Sequence, residues 1–167
     1  TPKSLRYGIN QYKRKIGEDF NKTIQENIQK TLTETGISDA VKLAESVPTI
    51  TILDSIIEHA AALSASDLHF EPFEDAFVVR FRIDGIMHEI IRMPKEIGPI
   101  VLARIKVISG MQIDIHQAPQ DGRFRFTLET QYIDVRVSVL PTFYGEKGEM
   151  RLLQGSARPF SLTELGL

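Results

Sequence analysis

The sequence predicts an α+β domain: helices packed against a mainly antiparallel sheet. Three observations point there. Two stretches near the start carry apolar residues at helical spacing. The pattern then switches to alternation over several short runs. Tight turns join most of those runs, and such turns connect antiparallel neighbours.

The first helix is expected over residues 9–34, where Tyr12, Ile16, Phe20, Ile24, Ile28 and Leu32 recur every fourth position. That is a narrow stripe on a polar helix, suited to lying on its own domain or on a partner. Gly36 is expected to cap its C-terminus, and Ser38 to cap a short helix reaching about Ser46. Pro48 and Thr49 open a helix over 49–64, whose wide face of Ile50, Leu53, Ile56, Ile57, Ala60, Ala61 and Leu63 marks it as buried. Strands are expected at 66–71, 76–83, 86–93, 122–129, 131–140 and 148–154. One helix interrupts them, starting at Pro94 and ending at Gly110, before an irregular loop over 110–121. The expected division is a helical arm at 1–46, an α+β domain at 47–154 and a linker at 155–167.

Composition narrows the function classes. The 167 residues carry a formal net charge of −2, so no global field draws the chain onto nucleic acid or an anionic membrane. With no cysteine there is no disulfide framework, thiolate metal site or thiol nucleophile. No apolar run approaches a membrane span, and both ends read as cuts in a longer protein.

Asp84-Gly85 is a two-residue turn of the type I′ kind. It pairs Ile83 with Ile86, Arg82 with Met87, Phe81 with His88 and Arg80 with Glu89. Phe77, Val79, Phe81 and Ile83 then share the core face with Ile86 and Ile90. Arg80 and Arg82 share the other face. Two meanings are open: a solvated face with Arg80 held by Glu89, or a guanidinium pair presented to an anion. Alternation also aligns Asp67, His69 and Glu71. Such positions stand roughly 6–7 Å apart, wide for one metal ion. Structural hydrogen bonding is the better reading, Asp67 to local backbone amides and His69 to a neighbour; no metal ligands are assigned. In Pro119-Gln120-Asp121-Gly122-Arg123, a turn leading into a strand, Asp121 can fold onto its own backbone and Gly122 can take positive φ. A phosphate-cradling P-loop is missing, since no Gly is followed by Lys.

Read together, the strings Ala65-Ser66-Asp67-Leu68-His69-Phe70-Glu71-Pro72, Val79-Arg80-Phe81-Arg82-Ile83-Asp84-Gly85, Arg104-Ile105-Lys106-Val107, Pro119-Gln120-Asp121-Gly122-Arg123, Asp134-Val135-Arg136-Val137-Ser138 and Gly145-Glu146-Lys147 resemble the ATPases of type II secretion and type IV pilus assembly. The resemblance covers about residues 48–167. It implies a PAS-like domain that precedes a P-loop ATPase domain. It also implies a hexameric cytoplasmic motor at the inner-membrane face, using ATP and Mg²⁺, with secretion or pilus platform proteins as partners and no nucleic acid. The fragment alone is expected neither to hydrolyse ATP nor to bind it tightly. Arg80 matches a family arginine that reaches the terminal phosphate; Lys95 stands where a second arginine is usual; Arg82 and Arg104 are further candidates. Gly148 departs from the family, where a β-branched residue is more usual. Two other classes compete: a PAS-like sensor or docking module without nucleotide contact, and a metal-dependent enzyme using Asp67, His69 and Glu71.

Overall fold

The computed structural model describes residues 2–34 and 40–154, with side chains for residues 11, 14–34 and 41–154. Four helices and six strands run in the order α1 (Pro2–Glu34), α2 (Ala40–Ala44), α3 (Val47–Ala62), β1 (Asp67–Pro72), β2 (Ala76–Ile83), β3 (Ile86–Pro94), α4 (Ile97–Ser109), β4 (Gln120–Thr127), β5 (Tyr132–Thr142) and β6 (Gly145–Gln154). The expected caps at Gly36 and Ser38, the side chain of Tyr12 and the 155–167 linker lie outside the described residues.

The strands form one antiparallel sheet in the order β3-β2-β1-β6-β5-β4. The α+β class is therefore as the periodicities indicate. The first and last strands pair at the sheet centre, so β1 donates and accepts on both edges. Helices cover one face. There Leu68, Phe70, Phe77, Val79, Phe81, Val135, Val137, Val139 and Met150 are buried against Ile52, Ile56, Val101 and Ile105. The stripe of α1 joins this core through Phe20, Ile24 and Ile28. Phe20 stacks on the His59 ring of α3 at 4.2 Å, and His59 in turn lies 6.0 Å from the Phe81 ring. The arm helix thus lies on its own chain.

Local chemistry explains the element ends. Pro48 sits in the first turn of α3, where its missing N–H costs nothing. Asp84 and Gly85 both have positive φ, 51° and 78°, as a type I′ turn requires, and the hairpin register is the one the turn dictates. Gly110 ends α4 in the left-handed conformation at φ 72°.

Four local expectations are corrected. The helix begins at Ile97, not Pro94, because Pro94 still pairs with Ala76 at the end of β3. A bulge between Val79 and Arg80 leaves Ile90 without a cross-strand partner. Past it, Ile91 and Met93 take the core side, Ile90 stays half-buried and Ile86 is 63% exposed at the uncovered hairpin tip. Gly122 lies inside β4 without positive φ; a Cβ there would strike the Ser109 carbonyl, so close approach explains the glycine. Asp121 does not fold onto its own backbone, because the strand has begun at Gln120; its carboxylate accepts from the Ser138 hydroxyl across β5. The departure at Gly148 also has a cause: a Cβ there would stand 2.9 Å from Leu102 of α4.

Candidate functional site

The face of the sheet turned away from the helices is built from charge. Register aligns Arg82, Asp67 and Arg151 in one cross-strand row, and Arg80, His69 and Glu149 in the next. Asp67 is buried between two guanidinium groups, with Arg151 Nε at 3.0 Å and Arg82 Nε at 3.5 Å. Burial pushes its carboxyl pKa up. Hydrogen bonds from Ser66 and Arg151 and the charges of Arg151 and Arg82 outweigh that, leaving it below the ordinary carboxylate value. The expected bonds from Asp67 to local amides are absent, because a central strand spends its amides on both neighbours. His69 stands between two carboxylates, with Nδ1 3.4 Å from Glu71 and Nε2 3.6 Å from Glu149, and the expected hydrogen bond to a neighbour is not formed among the described residues. Among the described residues no group of three His, Asp or Glu side chains is arranged to hold a metal.

Arg80 lies opposite Glu89 in register, but its guanidinium pairs with Glu71 at 3.5 Å. The bulge explains the exchange. It turns Arg92 to the face of Glu89, and those two pair at 3.2 Å. Arg80 keeps 38% of its side chain in solvent and Arg82 keeps 40%. Both guanidinium groups are therefore oriented by a carboxylate yet open to an incoming anion.

The other two candidates stand elsewhere. Lys95 follows β3 just past the Ala76 end of the hairpin, roughly 17 Å along the strand from Arg80. Arg104 belongs to α4, in the helix layer on the opposite side of the sheet; its Nε is buried without a hydrogen-bond partner. Burial raises the Asp54 pKa on neighbouring α3, and the Arg104 charge offsets only part of that. The structure brings Arg80 and Arg82 together and leaves Lys95 and Arg104 apart from them.

A second feature escaped the sequence reading. A cleft of about 640 Å³ opens beside the start of α4, walled by Phe73, Phe77, Leu102 and Tyr144, with Lys95 at its rim. At its floor Lys106 is 1% exposed, and donates to the Ile115 carbonyl and to Glu146 Oε1, each at 2.6 Å. His116 Nδ1 meets the other Glu146 oxygen at 3.0 Å. The signal was available: Lys106 falls four residues after Leu102 on the buried stripe of α4. A charge on such a stripe demands a buried partner.

With this geometry established, similarity to known proteins gives the family. The chain belongs to the type II/IV secretion system protein family, which matches residues 42–167. It is 37% identical over 168 residues to the type IV pilus assembly ATPase PilB of Myxococcus xanthus, covering 98% of this chain and 30% of that protein. It is 39% identical over 129 residues to the PilB of Pseudomonas aeruginosa, covering 77% and 23%. It is 37% identical over 129 residues to type II secretion system protein E of Aeromonas hydrophila, covering 77% and 26%. The chain spans less than a third of the length of each of these relatives. No helix among the described residues is long and apolar enough to cross a membrane.

Proposed function

We propose that this chain is the domain that completes an ATP site built mainly by another part of its parent protein, and that it transmits the resulting motion within a secretion or pilus-assembly motor. The observation that carries this reading is the pair Arg80 and Arg82. Each is oriented by a carboxylate at 3.5 Å and each is more than a third exposed on the helix-free face. Arginine suits this task because its planar fork meets two phosphate oxygens and keeps its charge. Positive charge brought to a terminal phosphate stabilises the transition state, by roughly 10³–10⁵-fold where other nucleotide hydrolases use an arginine. Supplied by a separate domain, it ties hydrolysis to domain closure.

In this reading Arg80 is the phosphate contact and Arg82 its neighbour on the same face. Lys95, at the other end of the hairpin, meets the nucleotide only if the partner domain wraps the sheet edge. Arg104 serves the α3–α4 contact unless that layer opens. Mg²⁺, the P-loop and most of the nucleotide contacts belong to the remainder of the parent. So do hexamer formation, the cytoplasmic placement and the contact with an inner-membrane platform.

The test has two parts. The 167-residue chain alone should not turn ATP over. In the full-length parent, Arg80→Ala should lower kcat by about 10-fold or more while the isolated domain keeps its fold. ATP hydrolysis by the fragment that survives Arg80→Ala would sink the proposal. The cleft supports a second reading, a PAS-like sensor or docking module without nucleotide contact, because its apolar walls and exposed Phe73 and Tyr144 can take a ligand or side chain. A normal kcat in the mutant parent would favour it.

A further inference from the structure

The row that begins with Arg82 does not stop at Arg151. Register carries it across the sheet to Arg136 of β5 and Arg123 of β4. Arg151, Arg136 and Arg123 therefore stand directly opposite one another on three adjacent strands. Like charges placed directly opposite one another across strands are destabilising. A carboxylate relieves only part of the row. Asp67 holds Arg151 at 3.0 Å. Among the described residues, Arg136 and Arg123 take part in no ion pair or side-chain hydrogen bond. The contrast with Arg125 is direct: it is engaged by Asp134 at 2.8 Å and lies over the Tyr132 ring at 4.0 Å. Between Arg123, Arg136 and the partly exposed Leu153 is a shallow recess of about 450 Å³, with the paired Arg125 and Asp134 also on its wall.

The surroundings select the occupant. Carboxylates flank the row on both sides, Glu149 and Asp121 in one neighbouring row and Asp134 in the other. A continuous polyphosphate would meet them, and the chain's net charge of −2 gives it no long-range attraction. A small anion would find an open face rather than an enclosing pocket. The row itself runs across the strands at about 4.8 Å per step, or about 10 Å for three arginines. Carboxylates one turn apart on a helix repeat at about 5.4 Å, close to that step. Same-face residues of an extended segment repeat at nearly 7 Å and fall out of step by the third.

We propose that the β6–β5–β4 half of the open face binds an acidic helix of a protein partner, lying across the strands with successive carboxylates on Arg151, Arg136 and Arg123 and an apolar side chain over Leu153. This surface is independent of the phosphate reading, which rests on Arg80 and Arg82.

The test uses this chain and a fluorescent alanine-based helical peptide with glutamates at i, i+4 and i+7, followed by anisotropy. The striped peptide should bind about 10-fold or more tightly than a scrambled peptide of equal charge, and Arg136→Ala or Arg123→Ala should each weaken it by about 10-fold. Arg92→Ala, on β3 at the opposite edge of the sheet, should leave binding unchanged. Arg136→Glu paired with a peptide carrying Lys at the central position should restore binding, which a folding defect could not do. Equal affinity for the scrambled peptide, tighter binding of a single-stranded oligonucleotide, or full binding by Arg136→Ala would each overturn the proposal.

Discussion

Arg80 and Phe81 are adjacent in β2, yet they belong to two different surfaces. Phe81 is fully buried under α3, while Arg80 faces away from every helix of the described residues and meets Glu71 and solvent. The same alternation runs through β1, β5 and β6. One face spends its side chains on burial, at about 25 cal/mol per Å² of apolar surface. The other holds partly exposed ion pairs, worth little apiece. The difference teaches that stability and recognition are separated by one residue in this sheet, so substitutions on the two faces should fail in different assays.

The largest effect should come from the buried face. Phe81→Ala should cost about 3–5 kcal/mol in urea denaturation, because it opens a cavity against α3 and removes the ring beside His59. A loss under about 1 kcal/mol would mean that helices and sheet are less tightly joined than their burial indicates.

Glu146→Ala should follow, at about 3 kcal/mol, since it strands the buried Lys106 ammonium with only the Ile115 carbonyl. Glu146→Ala combined with Lys106→Met should recover most of the loss; failure to recover would show that the pair is needed for more than neutralising its own charges.

His59 lies between the two regimes, a titratable ring inside the apolar layer. Its Nδ1 is buried without a hydrogen bond, and burial lowers its pKa below the ordinary 6.5. The sign follows from linkage. Above that value both folded and unfolded chains hold a neutral ring. As pH falls through it, the unfolded chain takes a proton the folded one refuses, so stability declines. Glu58 and Asp54 oppose this: burial raises both, and for Glu58 the charges of Asp54 and Glu129 add to the rise, so they gain stability as pH falls toward their ordinary values. Asp67 has a lowered pKa, and its contribution is held until the pH drops below 3.8. Melts at about pH 7.5 and about pH 5.5 should show His59→Phe losing less stability than the parent chain over that interval. An equal loss in both would remove His59 from the account.

The smallest effect should be on the open face. Arg82→Ala should change stability by less than about 1 kcal/mol, because its pairing with Asp67 at 3.5 Å is partly exposed and Arg151 remains to hold that carboxylate.

These contrasts also mark what could be read from sequence. The hairpin register was legible because Asp84-Gly85 fixes it locally, and the two-faced character of β2 followed from alternation. The bulge was not, since Ile90 and Ile91 are both apolar and either satisfies the pattern. Nor was the true partner of Asp67, because Arg151 lies 84 residues away and meets it only through the central pairing of β1 with β6. The arginine row across β6, β5 and β4 was hidden for the same reason: each member alternates unremarkably within its own strand, and only the register aligns them. Among the described residues, Lys106 is a buried charge that a helical-face count would have exposed.

The most direct test of the central claim is kcat of the full-length parent carrying Arg80→Ala, measured at saturating ATP beside the stability of the same variant in the isolated domain. A drop of about 10-fold or more with stability changed by less than about 1 kcal/mol is the predicted result. Unchanged turnover, or a loss of turnover matched by a loss of folding, would contradict it.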